Sequence, residues 1–277
     1  MRIDSHQHFW HFNEVDYDWM KADWPIRRDY LPADLEPLLK ASRLDGCIAI
    51  QARQTLEETR WLLELAASAP IIRGVVGWVD LRSPQVVNQL EHFATDPKFV
   101  GVRHVVQDEP DNQFMLRTDF RRGIKALQQF GLTYDLLVFP HQLPAATKLA
   151  SEFPEQSFVL DHMAKPLIAD GILSPWREYI QALARLPNVL CKVSGMITEA
   201  KWHVWRGTDF RPYLDVVFQS FGANRLMFGS DWPVALLSGS YENVVALANE
   251  YFSKLSKEEQ GDIFGENAAR FYRLTAS

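Results

Sequence analysis

Two histidines one residue apart, His6 and His8, close the first β-rich run of the chain, and a solitary Asp231 stands far downstream in Arg225-Leu-Met-Phe-Gly-Ser-Asp-Trp-Pro. Residues 1–8 read as a strand, and strand side chains alternate between faces. Asp4, His6 and His8 are therefore expected on one face, with the two imidazoles about 7 Å apart at that spacing. Such a pair can grip a metal ion or a carbonyl oxygen, and a carboxylate from a distant strand can serve as the base beside it. That chemistry is hydrolytic.

These groups meet only if the intervening chain brings them together. Short β-branched runs alternate with amphipathic stretches, and strands are expected at 2–8, 45–51, 72–79, 99–104, 133–138, 157–162, 188–194 and 225–231. Between them, Trp61, Leu62, Leu65, Ala66 and Ala69 form one apolar helical face. Trp176, Tyr179, Ile180 and Leu183 form a second, and Val244, Val245, Ala248, Tyr251 and Phe252 a third. Ser256-Lys-Glu-Glu259 has the pattern of a capping box and is expected to open a last helix running to about Tyr272.

Eight strand–helix units of about 30–35 residues fit an α/β fold of the single-domain (β/α)8 TIM-barrel type, spanning residues 1–277. Long loops distort it at 9–30, after strand 1, and at 195–210, after strand 7. No Gly/Ser- or Pro-rich linker divides the chain, and no short-period repeat is present. A doubly wound open sheet is the alternative, but it calls for a Gly-rich first βα turn. Here that turn is Gln-His-Phe-Trp-His-Phe-Asn, without a glycine.

Composition narrows the function classes. An apolar content of 47% can fill a sizeable core, so disorder is not expected. Net charge is −6, the isoelectric point is near 5.8 and no basic run occurs, which leaves no electrostatic footprint for nucleic acid. No apolar signal region opens the chain and no stretch of about 18 apolar residues suggests a membrane span. Cys47 and Cys191 lie in apolar runs and are read as reduced core residues. A cytoplasmic globular protein is expected.

On a barrel, polar residues at strand carboxyl ends converge on one mouth. They are His6 and His8, Gln51 and Arg53, Trp78, Arg103 and His104, Asp161 and His162, Lys192 and Ser194, and Asp231 and Trp232. Any one of these can be a cap or a surface group; His or Asp at strands 1, 4, 6 and 8 together marks a site. His6, His8, His162 and Asp231 could hold a single divalent ion such as Zn²⁺. Two ions would need a bridging Lys or Glu, and the tip of strand 4 offers Arg103, which cannot ligate. One metal or none is left open.

Without a metal, His6, His8, His162 and Arg103 can supply donors to a tetrahedral oxyanion, and Asp231 can move a proton from water to the leaving alkoxide. Trp10, Trp78 and Trp232 are candidates for a flat wall against a sugar, or for simple packing. Gln51, Arg53, His104 and Lys165 are candidate hydroxyl partners. Lys192 either faces the site with Ser194 or is a buried lysine paired with Asp161 or Glu199.

Several stretches carry a family likeness. His6-Gln-His-Phe-Trp, Gly101-Val-Arg-His with Gln107-Asp-Glu, Leu160-Asp-His-Met-Ala-Lys-Pro, Cys191-Lys-Val-Ser-Gly, Arg225-Leu-Met-Phe-Gly-Ser-Asp-Trp-Pro-Val and the terminal Phe264-Gly-Glu-Asn-Ala-Ala-Arg-Phe-Tyr resemble the amidohydrolase superfamily, specifically its sugar-lactonase branch. The likeness implies a barrel enzyme that hydrolyses an aldonolactone, L-fuconolactone or a closely related sugar lactone. It implies Asp231 as general base and His6, His8 and His162 as the groups that polarise the carbonyl. It also implies no required cofactor, although a single zinc can occupy such a pocket, and a small-molecule sugar lactone as partner, with no nucleic acid and no membrane. The rival readings are another lactone (L-rhamnonolactone or an anionic pyrone dicarboxylate), a metal-dependent decarboxylase, and a non-catalytic binding protein on the same scaffold. The oligomeric state is not implied.

Overall fold

The computed structural model describes residues 1–275, so the last two residues of the expected 1–277 domain lie outside it. Eight strands form one parallel sheet in chain order. They are β1 (Ile3–Gln7), β2 (Gly46–Ile50), β3 (Ile72–Gly77), β4 (Phe99–His104), β5 (Thr133–Leu136), β6 (Phe158–Leu160), β7 (Val189–Val193) and β8 (Leu226–Phe228). Every expected strand contains one of these. The ring closes between its first and last members: Ser5 Oγ donates to Phe228 O at 2.6 Å, and His8 N donates to Trp232 O at 2.7 Å. Asp231 N donates to His6 O at 2.8 Å, so closure itself brings Asp231 beside the histidines. The (β/α)8 barrel is therefore the fold.

Eight helices separate or follow the strands: α1 (Pro32–Ala41), α2 (Leu56–Ser68), α3 (Val86–Phe93), α4 (Thr118–Phe130), α5 (Leu143–Glu152), α6 (Trp176–Ala184), α7 (Gly207–Phe221) and α8 (Tyr241–Phe252). The three expected apolar faces lie on α2, α6 and α8, and Leu62, Ala66, Ile180, Leu183, Val244 and Ala248 are buried against the strands. Inside the barrel, Ile3, Ile48, Ile50, Val76, Val159 and Met227 pack around Tyr272, which enters from the end of the chain. Cys47 and Cys191 are buried and unbonded, as expected. No described helix is long and apolar enough to cross a membrane.

Two expectations of regularity fail. The Ser256 capping box forms, with Glu259 N donating to Ser256 Oγ at 3.2 Å, but the helix it opens is not continuous to Tyr272. It breaks into α9 (Lys257–Gly261), a π-turn at Asp262–Glu266 and α10 (Asn267–Phe271). The cause is crowding: a β-carbon at Gly265 would lie 2.0 Å from Met1 O, so the segment bends past the amino terminus where only glycine fits. The second failure is Asp4. Its pairing partner Cys47 belongs to the outer core, and Tyr241 Oη of α8 donates to Asp4 Oδ2 at 3.0 Å, so Asp4 faces the helix layer. A bulge between Asp4 and Gln7 breaks the two-residue period and returns His6 to the interior.

The long loops fall where expected, between β1 and α1 and between β7 and α7. The first is pinned by the Trp10–Tyr30 bridge. Two further long connections, 105–117 after β4 and 161–175 after β6, carry only short 3₁₀ turns, and the pattern of apolar residues did not announce them.

Candidate active site

At the carboxyl ends of the strands, Asp231 Oδ1 lies 3.4 Å from His8 Nε2, 3.7 Å from His162 Nε2 and 3.9 Å from His6 Nε2. Each imidazole is oriented by its other nitrogen. His8 Nδ1 donates to Ile50 O at 2.9 Å, and His162 Nδ1 sits 2.9 Å from Ser194 Oγ. His6 Nδ1 lies 3.2 Å from Asp161 Oδ1, while its Nε2 faces Arg103 Nη1 at 3.3 Å. Both ring nitrogens face a cation that only donates, Nε2 facing Arg103 and Nδ1 lying 3.2 Å from Lys192 Nζ, so the Asp161 carboxylate is the nearest acceptor beside the ring.

The backbone that presents these groups is unusual. His162, Met163, Ala164 and Lys165 all have φ between +50° and +58°, and Asp231 has φ +58°. Left-handed geometry costs roughly 1–2 kcal/mol per non-glycine residue, so this turn is held in place by its surroundings. Gly195 makes room for it: a β-carbon there would stand 2.6 Å from His162 Nδ1. His162 therefore leaves the end of strand 6 and turns over Gly195, a position that strand alternation does not describe.

Beneath the histidines lies a buried charged layer with Arg103 at its cavity side. Arg103 donates to Asp161 Oδ2 at 3.2 Å, to Gln51 Oε1 at 3.0 Å and to Gln51 O. Lys192 Nζ donates to Asp135 and lies 3.0 Å from Asp161 Oδ1 and 3.2 Å from His6 Nδ1. The buried-lysine reading of Lys192 is thus correct with Asp161 as partner; Glu199 is not one, and Asp135 on β5 was not foreseen. Burial pushes Asp135 up to about 6 despite Lys192. Burial would also raise Asp161, but Lys192, His6 and Arg103 hold it well below the usual carboxylate range.

Burial drives His6 down, with Lys192 and His162 adding to the effect, and it drives His162 down to about 4. Asp231 is lowered: burial acts against ionisation, and the His162, His8 and His6 rings overcome it. Near neutral pH His6 and His162 are uncharged and Asp231 is an ionised carboxylate. His8 Nδ1–H is committed to Ile50 O, so without a proton or a cation on the His8–Asp231 axis two lone pairs would face each other at 3.4 Å.

The donor set fits one divalent ion, since His6, His8 and Asp231 each offer an atom within 4.8 Å of the others and His162 joins them around Asp231. His6 Nε2 is engaged by Arg103, which leaves His8, His162 and Asp231 as the groups free to hold it. Their outer hydrogen bonds, to Ile50 O and Ser194 Oγ, are those a ligating imidazole needs.

Above this cluster opens a cavity of about 640 Å³, lined among others by His8, Trp10, Arg53, Arg103, His162, Lys165 and Asp231. Arg53 pairs with Asp16 of the first loop at 2.8 Å. Four expected contact residues do not line it. Gln51 is buried beneath, holding Arg103. Trp78 Nε1 donates to His104 Nδ1 at 3.3 Å, and His104 stacks on Phe114 and meets Glu109 at 2.7 Å, so both are packed behind β4. Trp232 turns away after Asp231 and packs edge-on against Tyr30 and Phe9. Trp10 does line it, and the rest of the aromatic wall is Trp19, Trp24 and Trp202 instead, with Trp24 and Trp202 joining the two long loops at a ring separation of 5.7 Å. Lone tryptophans in loops gave no periodic signal by which to place them.

Fold and site together define a parallel (β/α)8 barrel with a His/Asp centre at the carboxyl ends of its strands, the architecture of a barrel hydrolase. Comparison with known proteins makes this specific: residues 3–274 match the family model described as amidohydrolase, and the chain belongs to that family. It is 44% identical to an L-fucono-1,5-lactonase of Burkholderia multivorans over 99% of this chain and 96% of that one. It is 38% identical to an L-fucono-1,5-lactonase of Burkholderia ambifaria, with the same coverage. A crystal structure of an amidohydrolase from Burkholderia multivorans with bound zinc superimposes with a TM-score of 0.95 at 44% identity, over 99% of this chain and 100% of that one.

Proposed function

We propose that this protein hydrolyses L-fucono-1,5-lactone or a closely related aldonolactone to the aldonic acid. That it is a lactone-opening hydrolase rests on the two full-length relatives. The observation that carries the residue assignment is the convergence of three imidazole Nε2 atoms on Asp231 Oδ1 within 3.9 Å at the floor of the cavity.

In this reading water attacks the lactone carbonyl, and Asp231 takes its proton. The oxyanion forms against the fixed charge of Arg103 and the Nε2–H that His162 presents when its Nδ1 accepts from Ser194 Oγ; His6 and His8 flank Asp231. The ring C–O bond then breaks, Asp231 returns its proton to the departing oxygen, and the carboxylic acid product ionises. A divalent ion held by His8, His162 and Asp231 would polarise the same carbonyl. In this reading Arg103 supplies the positive charge at the carbonyl oxygen, and we therefore assign the reaction no obligatory metal.

Three measurements test this. A screen of L- and D-aldonolactones with a pH indicator should show L-fucono-1,5-lactone among the best substrates, one proton released per turnover. Chelator treatment should leave most of that activity; complete loss, restored by Zn²⁺, would make the cation essential. The pH profile follows from the lowered Asp231 and His162. Both protonations are harmful, one removing the base and the other adding a charge, so kcat at saturating lactone should stay level from neutral pH down to about 4. An acid limb near pH 6 in protein shown folded by circular dichroism would assign the base elsewhere.

A further inference from the structure

The cavity contains a carboxylate that the proposed reaction does not use. Glu199 lies in the short turn Ile197–Glu199 after β7 and lines the cavity together with Asp231 and Lys165. The turn is fixed without it: Thr198 Oγ1 donates to Gly195 O at 2.7 Å, and Trp202 Nε1 donates to Thr198 O at 2.9 Å. Among the described residues the Glu199 carboxylate has no hydrogen-bond or ion-pair partner. Lys165 does not pair with it; that ammonium lies over the Phe139 ring. Partial burial raises Glu199 from its ordinary value, opposed by the charge of Lys165 and helped by that of Asp231.

Glu199 is half-buried, and a carboxylate that faces a cavity without a protein donor is free to accept hydrogen bonds from a ligand there, bonds to a charged acceptor being the stronger kind. Two adjacent sugar hydroxyls match the two oxygens of one carboxylate, and the cavity's tryptophans suit the C–H face of the same ring. An anionic ligand would meet Asp108, Glu199 and Asp231 in a cavity whose cations are Lys165 and two arginines already paired, Arg53 with Asp16 and Arg103 with Asp161. We propose that Glu199 accepts hydroxyls of the bound lactone and selects neutral polyhydroxylated lactones over anionic ones. This rests on the lactonase reading above and names the group that sets its substrate class.

Glu199→Gln keeps the shape and removes the charge. Hydrogen bonds to charged groups contribute about 1.5–3 kcal/mol, so kcat/KM for L-fucono-1,5-lactone should fall about 10–100-fold, mainly through KM. The unsubstituted δ-valerolactone, read as a competitive inhibitor of the sugar lactone, should change by less than about threefold. The dianion 2-pyrone-4,6-dicarboxylate should compete better with the variant than with the wild type. Equal losses for both neutral lactones, or an unchanged KM for the sugar lactone, would overturn the assignment. Failure of the wild type to open any lactone would instead defeat the hydrolase reading and take this one with it.

Discussion

Asp231→Asn is expected to lower kcat for lactone opening by ~10²–10⁴-fold while leaving the protein folded. The fold should tolerate the change because asparagine also adopts left-handed backbone geometry, which Asp231 requires at φ +58°. The backbone bonds from Asp231 N to His6 O and from Ala235 N to Asp231 O do not involve the side chain. The amide can also donate to the lone pair of His8 Nε2, so the three imidazoles need not move. What it cannot do is accept the proton of the attacking water. Asp231→Ala would be a poorer probe, because alanine is strained at that backbone angle and leaves His8 without a partner. A Asp231→Asn variant that turns over L-fucono-1,5-lactone at near wild-type rate would remove Asp231 from the chemistry altogether. Loss of activity with unchanged circular dichroism and an unchanged KM would place it in the bond-making step.

Much of this centre was legible in the sequence because barrels impose a simple rule: the last residues of each strand point to one mouth. Applied to His6, His8, Arg103, His162 and Asp231, the rule brings together residues separated by up to 225 positions, and the structure gathers all five within one cluster. Where it failed, the backbone left the regular strand path. Asp4 was misplaced by the bulge in β1, and His162 is delivered by a left-handed turn over Gly195 rather than by strand alternation. Trp78, His104 and Trp232 sit at strand ends as expected, yet pack behind the barrel wall against His104, Phe114 and Tyr30 respectively. The tryptophans that do line the cavity come from long loops, whose paths depend on tertiary contacts such as Trp24 on Trp202. Asp135 illustrates a further limit. Nothing in Thr133-Tyr-Asp-Leu distinguishes a charged partner from a strand-end cap until the neighbouring strands place Lys192 against it.

The second large effect is expected from Lys192→Met. Lys192, Asp135 and Asp161 are fully buried, and the lysine lies between the two carboxylates. Methionine fills the space but leaves both acids without their cation; Arg103 still serves Asp161, while Asp135 keeps only the Tyr272 hydroxyl at 2.9 Å. Breaking a buried pair from one side typically costs about 3–5 kcal/mol, because an uncompensated charge remains. A drop of that size in unfolding free energy, read from the urea midpoint at unchanged slope, is the expected result. The pH dependence fixes the cause. Asp135 already sits at about 6, above its unfolded value, so the stability contributed by its protonated form is present at low pH and lost as pH rises through the folded value. Removing Lys192 raises Asp135 further, so the deficit of the variant against the wild type should be smaller near pH 5 and grow toward pH 8. A deficit independent of pH would mean that methionine packs badly and that the lysine charge matters little. Because Lys192 Nζ also lies 3.2 Å from His6 Nδ1, the same variant should lose activity even where it is folded, since that side of the ring then keeps only Asp161.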